Sequence, residues 1–230
     1  MTVVEAVNLS KRYGRTWALR GVNLVIEEGM VVGLLGPNGS GKSTFLRLLA
    51  GLSHPSGGEV KVLGERPGLA TKKQVAFVPE IDHLYRWMRV RDTLDFQAGF
   101  YADFDPARGE ELLTFMNLDP GARVYNLSKG QRARLKLMLA LARQARLVLL
   151  DEPFSGIDPP SRERILQGIL MAYRQDRTVI ISTHLVGEVE KLFDQVVFLS
   201  QGEVFLAGEA ESLRAERGKS IDEIFREEYR

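Results

Sequence analysis

Residues 36–44 constrain the possible folds more than any other stretch of this 230-residue sequence. Their sequence is Gly-Pro-Asn-Gly-Ser-Gly-Lys-Ser-Thr, with a short apolar run before them and apolar residues at helical spacing after them. A glycine, four residues and then Gly-Lys-Ser is the spacing at which a loop between a strand and a helix closes around a polyphosphate. The sequence therefore predicts a phosphate-binding loop, with a glycine-rich turn that binds no ligand as the alternative.

The residue types in this phosphate loop suit a polyphosphate together with Mg²⁺. The glycines let backbone N–H groups approach the oxygens, Lys42 can reach the terminal phosphates, and the Ser43 hydroxyl can ligate Mg²⁺. The helix that follows directs the positive end of its dipole at the anion. We therefore predict that the ligand is bound by the loop residues Gly36, Pro37, Asn38, Gly39, Ser40, Gly41, Lys42, Ser43 and Thr44.

The overall composition is that of an ordinary globular protein and limits the classes of partner. Lysine and arginine number 31 against 30 aspartate and glutamate residues, so no net charge draws the chain to nucleic acid or anionic lipid. The absence of cysteine excludes disulfides and thiolate metal sites. No stretch reaches the roughly 18 apolar residues of a membrane helix. We expect a cytoplasmic protein that binds no nucleic acid and reaches a membrane only through a partner.

The remaining sequence alternates between strand-like and helix-like segments. The predicted strands are Val3–Leu9, Val22–Ile26, Glu59–Leu63, Val75–Val78, Leu147–Leu150 and Thr178–Ser182, with a hairpin of Gln195–Ser200 and Glu203–Gly208. The predicted helices include Arg91–Tyr101, Pro106–Met116, one from Gly130 through Ala142, and one from Pro159 to about Asp176. This alternation predicts an α/β fold with a mostly parallel sheet that helices cover on both faces.

We predict a single domain over residues 1–230 with a P-loop NTPase core. An antiparallel β-subdomain forms its N-terminal part, with strands joined through Lys11–Arg15, and a helical subdomain spans about residues 81–144. A short helical tail covers about residues 210–230, and Ile221, Ile224 and Phe225 form a narrow apolar face that docks on the domain.

The segment Leu147–Pro153 supplies the second half of the predicted site. Asp151 ends a buried apolar strand, which we expect to lie next to the strand that leads into the phosphate loop. A carboxylate there can hold Mg²⁺, usually through water, and a second carboxylate can orient or deprotonate the attacking water. We assign the metal role to Asp151 and the catalytic role to Glu152; an Asp-Glu pair that only caps a helix is the alternative.

With these motifs the sequence resembles, over nearly its whole length, the nucleotide-binding subunits of ATP-binding cassette (ABC) transporters. The most specific element is Leu127–Arg132, which resembles the family's signature motif. The resemblance implies ATP and Mg²⁺ as ligands, hydrolysis of ATP, and a head-to-tail dimer in which this motif binds the ATP of a second subunit. Ser128, Lys129, Gly130 and Gln131 are the residues implied; a serine-capped helix start without a ligand is the alternative.

Three single residues match further positions of the family. Tyr13 stands where the family stacks an aromatic ring on adenine, with a half-buried tyrosine at a strand end as the alternative. Asp158, in Ser-Gly-Ile-Asp, matches a loop that communicates between subunits, or is an acidic cap before Pro159. His184, in Ser-Thr-His, matches the histidine that contacts the γ-phosphate, so the resemblance implies a catalytic role beside Glu152 and Lys42.

Two residues depart from the family's usual pattern. Glu80 stands where a glutamine that contacts Mg²⁺ is common, and a carboxylate there can still ligate the metal although it adds negative charge. Lys129 stands where the signature usually has a glycine, and this larger residue affects how closely the motif of the second subunit can approach the nucleotide. Both variants resemble those of two-component bacterial exporters and favour export.

The resemblance implies a peripheral ATPase subunit on the inner face of the cell membrane, working with a separate membrane-spanning permease and a second ATP-binding subunit. The segment Ile81–Met88 gathers Leu84, Tyr85, Trp87 and Met88, which form either a docking surface for the permease or part of the core of the helical subdomain. The rival functions are a soluble ATP-dependent switch that acts on nucleic acid or ribosomes, and an ATP-binding module without turnover.

Overall fold

The structure, a computed structural model, describes residues 1–173 and 177–229. Its strands are β1 (Thr2–Tyr13), β2 (Thr16–Glu27), β3 (Val31–Leu35), β4 (Gly57–Val62), β5 (Val75–Val78), β6 (Leu147–Asp151), β7 (Thr178–Thr183), β8 (Gln195–Ser200) and β9 (Glu203–Glu209). Its α-helices are α1 (Lys42–Leu49), α2 (Leu69–Lys72), α3 (Val90–Phe100), α4 (Pro106–Phe115), α5 (Lys129–Leu141), α6 (Pro159–Tyr173), α7 (Ala210–Arg217) and α8 (Ile221–Glu228).

The strands form two sheets. The smaller sheet has the order β2-β1-β4 and is antiparallel, whereas the larger one has the order β5-β6-β7-β3-β8-β9. In the larger sheet only the β8–β9 hairpin at one edge is antiparallel, and the other neighbours run parallel. The predicted α/β fold, with a mostly parallel sheet and an N-terminal antiparallel sheet, is confirmed.

The hydrophobic core lies on both faces of the larger sheet. Because side chains alternate along a strand, Val32 and Leu34 of β3 face α1 and the smaller sheet, while Val31 and Leu35 face the opposite side. That opposite side is covered by α5, α6 and the C-terminal helices. Every residue of β3 is buried, so the strand that leads into the phosphate loop is the centre of the core.

The prediction that β6 lies directly beside β3 in the sheet was wrong, because β7 lies between these two strands. β3 pairs with β7 and β8, and β6 pairs with β5 and β7. A run of apolar residues identifies a buried strand but carries no information on its position in the sheet, since a crossover helix can place consecutive strands beside each other or on either side of another strand. The consequence is that β7 contributes residues between the phosphate loop and Asp151.

The N-terminal hairpin is longer than the sequence pattern predicted. The ladder between β1 and β2 continues to the pair Tyr13 and Thr16, so most of the predicted connection at Lys11–Arg15 is strand. The Arg12 guanidinium lies 5.6 Å from the ring centroid of its cross-strand partner Trp17. Such cross-strand pairs extend a hairpin without an apolar face, and hydrophobic periodicity does not detect them.

Three helices, α3, α4 and α5, fill the chain between β5 and β6. Asp92 accepts a hydrogen bond of 2.8 Å from the Arg89 N–H, and Asp105 accepts one of 3.1 Å from the Arg108 N–H, as expected of residues at helix starts. The predicted end of α6 near Asp176 lies outside the described residues. The structure adds the short helix α2 and 3₁₀ turns at Val124–Asn126, Val186–Glu188 and Glu190–Leu192, which the sequence pattern did not indicate.

The C-terminal tail folds back on the larger sheet. A reciprocal cap between Ser220 and Glu223 begins α8, and both Ile221 and Ile224 are buried. The prediction that the apolar face of the tail docks on the domain is therefore confirmed, with Phe225 partly buried beside these residues. In the part of the chain that the structure describes, no helix combines the length and the apolarity needed to cross a bilayer.

Candidate functional site

The phosphate loop has a backbone that only glycine can adopt at several of its positions. Gly39 and Gly41 have φ angles of 82° and 112°, in the left-handed region that other residues rarely enter. A Cβ on Gly41 would also overlap the Ala18 carbonyl, and one on Gly36 would overlap the Leu199 carbonyl. These glycines therefore allow a tight loop that presents its backbone inward.

Lys42 is the first residue of α1, and its ammonium group points back into the phosphate loop. Nζ donates hydrogen bonds to the carbonyl oxygens of Gly36 at 2.7 Å and Pro37 at 3.1 Å. It also lies 3.2 Å from Oε1 of Glu152, in an ion pair whose two side chains are each only 6% exposed. The structure thus brings together the predicted phosphate ligand and the predicted catalytic carboxylate.

Asp151 receives hydrogen bonds from two serine hydroxyls. Ser43 of α1 donates to its Oδ1 at 2.9 Å, and Ser182 of β7 donates to the same oxygen at 2.7 Å. The Ser182 hydroxyl in turn accepts the backbone N–H of Glu152 at 3.0 Å. Ser182 therefore positions both acidic residues, although no role was predicted for it. The available signal was a fully buried serine that ends a Val/Ile strand, because such a hydroxyl needs a partner.

Glu152 is held in an uncommon conformation. Its φ angle is 47°, in a region where strained residues at functional sites are found. Its Oε2 lies 3.0 Å from Nδ1 of His184, while its Oε1 accepts no hydrogen bond from the described residues and lies 3.2 Å from Nζ of Lys42. An ionised carboxylate can only accept, so Nδ1 carries the proton and Nε2 faces away from Glu152. His184 thereby fixes the orientation of the carboxylate.

The site fits a polyphosphate with Mg²⁺. Ser40 Oγ is buried without a hydrogen bond to the described residues, which is the condition of a hydroxyl that faces a polar ligand. Among residues 1–173 and 177–229, no cluster of three or more His, Cys, Asp or Glu residues could enclose a metal. Ser43 and Asp151 are instead a sparse oxygen set of the kind that Mg²⁺ accepts when water and phosphate oxygens complete its shell.

A cavity of about 450 Å³ separates this site from the helical region. Glu80, Asp151 and Lys129 line it, so the predicted metal ligands Glu80 and Asp151 face a common space. Lys136 of α5 spans one wall and donates hydrogen bonds to the carbonyl oxygens of Pro79, Glu80 and Ile81, at 2.7, 3.1 and 3.3 Å. Lys136 therefore attaches the Glu80 segment to α5.

The role of Lys136 was not predicted. Burial lowers the pKa of its ammonium, and the nearby carboxylates of Asp82, Glu80 and Asp151 oppose that shift. The available signal was a lysine between two leucines, Leu135 and Leu137, that are both buried, because its stem packs along the core there and its charge must find acceptors.

The signature residues lie at the start of α5, and Lys129 lines the same cavity as Asp151 and Glu152. The hydroxyl of Ser128 accepts the Gln131 N–H at 3.1 Å, and Gln131 Oε1 accepts the Ser128 N–H at 2.8 Å. A side chain on Gly130 would overlap Asp158 and Ser161, so this glycine lets α5 approach the start of α6. Lys129 extends toward Gly156 of its own chain.

Asp158 and Tyr13 lie outside the cluster around Glu152. Asp158 accepts the Ser161 N–H at 2.9 Å, which lowers the pKa of its carboxyl and caps α6. Tyr13 is the last residue of β1; its side chain is exposed, and the Lys11 ammonium lies 5.0 Å from its ring centroid. Asp158 thus forms the acidic cap named as its alternative, whereas Tyr13 ends a strand but is exposed and not half-buried; both side chains are accessible to a ligand or partner.

The sequence matches known proteins over most of its length. The family model described as ABC transporter matches residues 19–155. An uncharacterized ABC transporter ATP-binding protein of Nostoc sp. is 35% identical over 204 residues, which are 85% of this chain and 61% of the relative. A Nod factor export ATP-binding protein I of Rhizobium sp. is 33% identical, over 96% of this chain and 76% of the relative. The chain thus spans less than two thirds of the first relative and about three quarters of the second.

A solved structure shares both the fold and part of the sequence. It is the dimeric, post-hydrolysis state of an ATP-binding cassette bound to ADP and Pi, and it is 26% identical with a TM-score of 0.80. The match covers 90% of this chain and 98% of that one. Together with the matches to the family model and to the relatives, this likeness shows that the chain belongs to the ABC transporter family, as an ATP-binding subunit of the ABC ATPase type.

Proposed function

We propose that this chain hydrolyses MgATP at the site where Lys42, Ser43, Asp151, Glu152 and His184 converge. The observation that carries the proposal is a continuous set of contacts among these residues and Ser182, each of 3.2 Å or less. In that set the two acidic residues are joined through Ser182. The remaining residues of the loop, Gly36, Pro37, Asn38, Gly39, Ser40, Gly41 and Thr44, surround the phosphates with backbone and hydroxyl groups.

Each side chain has a separate task. Lys42 exchanges its contact with Glu152 for the terminal phosphates when nucleotide binds, and Glu152 then accepts a proton from the attacking water. Ser43, Asp151 and Glu80 are the candidate metal ligands, and Mg²⁺ held there would neutralise charge on the phosphate oxygens. His184 keeps the Glu152 carboxylate oriented through its Nδ1–H, and in a ring that also carries a proton on Nε2, that N–H would donate to the γ-phosphate. Tyr13 stacks on the adenine.

The active form is a dimer in this proposal. The side-chain hydrogen bonds described for Ser128 and Gln131 join these two residues to each other and not to the phosphate loop, and Ser128 and Lys129 are exposed. A helix N-terminus with an exposed serine, whose hydroxyl accepts the Gln131 N–H and can still donate its own proton, suits a phosphate that a second copy presents. Asp158, which is exposed beside Gly130, then lies at the subunit contact. The solved relative that is described as dimeric supports this arrangement.

The partner proposed for the dimer is a membrane-spanning permease, and the transport direction is export. The relative whose name includes Nod factor export is 33% identical, which supports export as a class without naming the substrate of this chain. The domain then comprises residues 1–230, with a helical subdomain at about 81–144 and a tail at about 210–230. Its location is the inner face of the cell membrane, where the permease holds it.

An aromatic patch on the helical region supports the proposal that the partner is a permease. We define the patch as the exposed residues Tyr85, Trp87, Phe96 and Phe100. The Tyr85 ring centroid lies 6.1 Å from that of Trp87 and 5.5 Å from that of Phe96, and Phe96 stacks on Phe100 at 6.1 Å. Exposed aromatic residues in contact with one another are typical of an interface centre.

The segment Ile81–Met88 was predicted either to dock on the permease or to fold into the core, and its residues differ in burial. Met88 is buried and Leu84 packs against the core, as the second alternative required. Tyr85 and Trp87 remain exposed, with 51% and 65% of their surfaces accessible. Docking therefore depends on these two residues together with Phe96 and Phe100 of α3, which the sequence did not associate with them.

Phosphate release from MgATP tests the proposed chemistry. Glu152→Gln keeps the shape of the side chain but removes the base, so we expect MgATP binding to persist while turnover falls by about 10²–10⁴. Lys42→Ala removes the cation that faces the phosphates, and we expect nucleotide binding to be lost. Wild-type turnover in Glu152→Gln, or wild-type affinity in Lys42→Ala, would overturn the proposal.

The rival function is a switch that acts on ribosomes or nucleic acid. Phosphate release, together with recruitment to membranes, distinguishes it from the proposed function. Co-expression with the proposed permease is expected to recruit the chain to membranes and stimulate its turnover. Stimulation by ribosomes or by RNA instead, with no recruitment to membranes, would favour the rival. A binding module without turnover predicts no phosphate release under any of these conditions.

A further inference from the structure

The hydroxyl of Tyr229, in the C-terminal tail, lies between two backbone carbonyl groups beneath the phosphate loop. Its oxygen is 2.9 Å from the Leu199 carbonyl oxygen and 3.2 Å from the Leu35 carbonyl oxygen. A phenol carries one proton, so the hydroxyl shares it between the two acceptors. One side chain of the tail thereby joins the ends of β8 and β3.

Both acceptors adjoin the first residue of the phosphate loop. Leu35 directly precedes Gly36, and the Leu199 carbonyl lies so close to Gly36 that a Cβ on this glycine would overlap it. The turn that follows Leu199 also supports the loop, because the Gly202 N–H donates to the Ser40 carbonyl at 3.0 Å. The position of the loop relative to β8 therefore depends on contacts that Tyr229 makes.

The tail is fixed firmly enough to hold this hydroxyl in place. The Tyr229 ring packs against Phe198, Phe205 and Phe225, with centroid distances of 6.4, 5.6 and 4.7 Å. The Asp222 N–H donates to Glu190 Oε2 at 2.9 Å, which attaches the start of α8 to the segment after His184. Burial raises the pKa of the Tyr229 phenol, so the group stays protonated and remains a donor.

We propose that Tyr229 is a positioning residue for nucleotide binding, which holds the junction of β3 and the phosphate loop in the conformation that receives phosphate. The inference rests on the proposed role of that loop. A loop whose backbone is already ordered loses less conformational entropy when the anion binds. Removal of the hydroxyl is therefore expected to weaken nucleotide affinity and to leave the chemical step unchanged.

Tyr229→Phe tests the inference, because it removes the hydroxyl and keeps the packed ring. MgADP is the probe, since it binds without turnover. A net hydrogen bond corresponds to about 3- to 10-fold in an equilibrium constant, so the Kd for MgADP is expected to rise by about that factor. Hydrogen exchange of residues 36–42 is expected to accelerate, while exchange of residues 178–183 and kcat at saturating ATP stay at wild-type values.

Tyr125→Phe is the matched control, because Tyr125 is exposed and its hydroxyl has no hydrogen-bond partner among the described residues. An unchanged Kd in Tyr229→Phe would overturn the inference, and so would a raised Kd with unchanged exchange of residues 36–42. Lys42→Ala distinguishes a failure of the Tyr229 inference from a failure of the proposed function. If Lys42→Ala loses MgADP and Tyr229→Phe does not weaken it, only the inference fails; if Lys42→Ala binds MgADP normally, the proposed function fails.

Discussion

Lys42 and Glu152 neutralise each other in the interior of the protein, with 3.2 Å between Nζ and Oε1. The two residues belong to different halves of the site, since one begins α1 and the other follows β6. Each was predicted to face the nucleotide or its water, and the structure shows that they face each other. Their charges are therefore balanced without a ligand, and either residue alone would be a buried charge that lacks its ionic partner.

Removal of one partner of this pair is expected to destabilise the fold. Lys42→Met should lower the free energy of unfolding by about 3–5 kcal/mol, because it leaves the Glu152 carboxylate uncompensated. Lys42→Met combined with Glu152→Gln should recover much of that loss, since both charges are then absent. Urea denaturation without nucleotide measures Lys42→Met, Glu152→Gln and the double variant. Additive effects of the two substitutions would contradict the proposed coupling.

The exposed pair of Lys61 and Glu5 provides the control for this comparison. Nζ of Lys61 lies 3.4 Å from Oε2 of Glu5, and the two side chains are 43% and 45% exposed. Lys61→Met should change the free energy of unfolding by less than about 1 kcal/mol, because solvent screens the pair.

Ser182→Ala is expected to disturb both acidic residues together. It removes a donor to Asp151 and an acceptor for the Glu152 N–H, so the free energy of unfolding should fall by about 1–3 kcal/mol. Turnover should fall by about 10- to 100-fold, as is typical when the support of metal-binding or catalytic groups is lost. Ser200→Ala, at the end of β8, is the control. Wild-type kcat in Ser182→Ala would show that Ser182 is structural only.

MgATP is expected to drive dimerisation of Glu152→Gln, in which bound ATP persists. Ser128 and Gly130 are proposed to meet nucleotide only across a subunit contact, so light scattering should detect a dimer with MgATP and a monomer without it. Lys42→Ala should remain monomeric under both conditions. If Glu152→Gln is monomeric in both, Lys129→Gly distinguishes the cause: it restores the dimer when Lys129 prevents closure, and has no effect when the permease is required.

The aromatic patch is expected to bind the permease and to contribute little to the stability of the fold. Tyr85→Ala combined with Trp87→Ala should leave the isolated subunit folded and able to bind MgATP, because both side chains are exposed. Co-purification with the permease should weaken and transport should be abolished, since residues at interface centres carry most of the binding energy. Met88→Ala is the contrasting variant, and its expected effect is lower stability because Met88 is buried.

A double mutant at Tyr85 and Trp87 that unfolds would place these side chains in the core. One that folds and still supports transport would place the coupling surface elsewhere on the protein.

The sequence alone determined the features that depend on local residue order. Glycines that need left-handed backbone, an apolar run that must be buried, and caps such as Asp105 act within a few residues, so the phosphate loop, its flanking strand and helix, and most helix starts were predictable. The resemblance to the ABC family depended on the same local motifs. These signals identified Lys42, Ser43, Asp151, Glu152 and His184 individually as candidate site residues.

Only the tertiary structure decided how these residues meet. The order of strands in the sheet is a property of crossover connections, and it placed β7 with Ser182 between the two halves of the site. The ion pair of Lys42 and Glu152, the attachment of Lys136 to the Glu80 segment, and the contact of Tyr229 with Leu35 join residues that are 55 to 194 positions apart. Contacts at such separations arise from packing of the whole core, and no periodicity or motif in the chain records them.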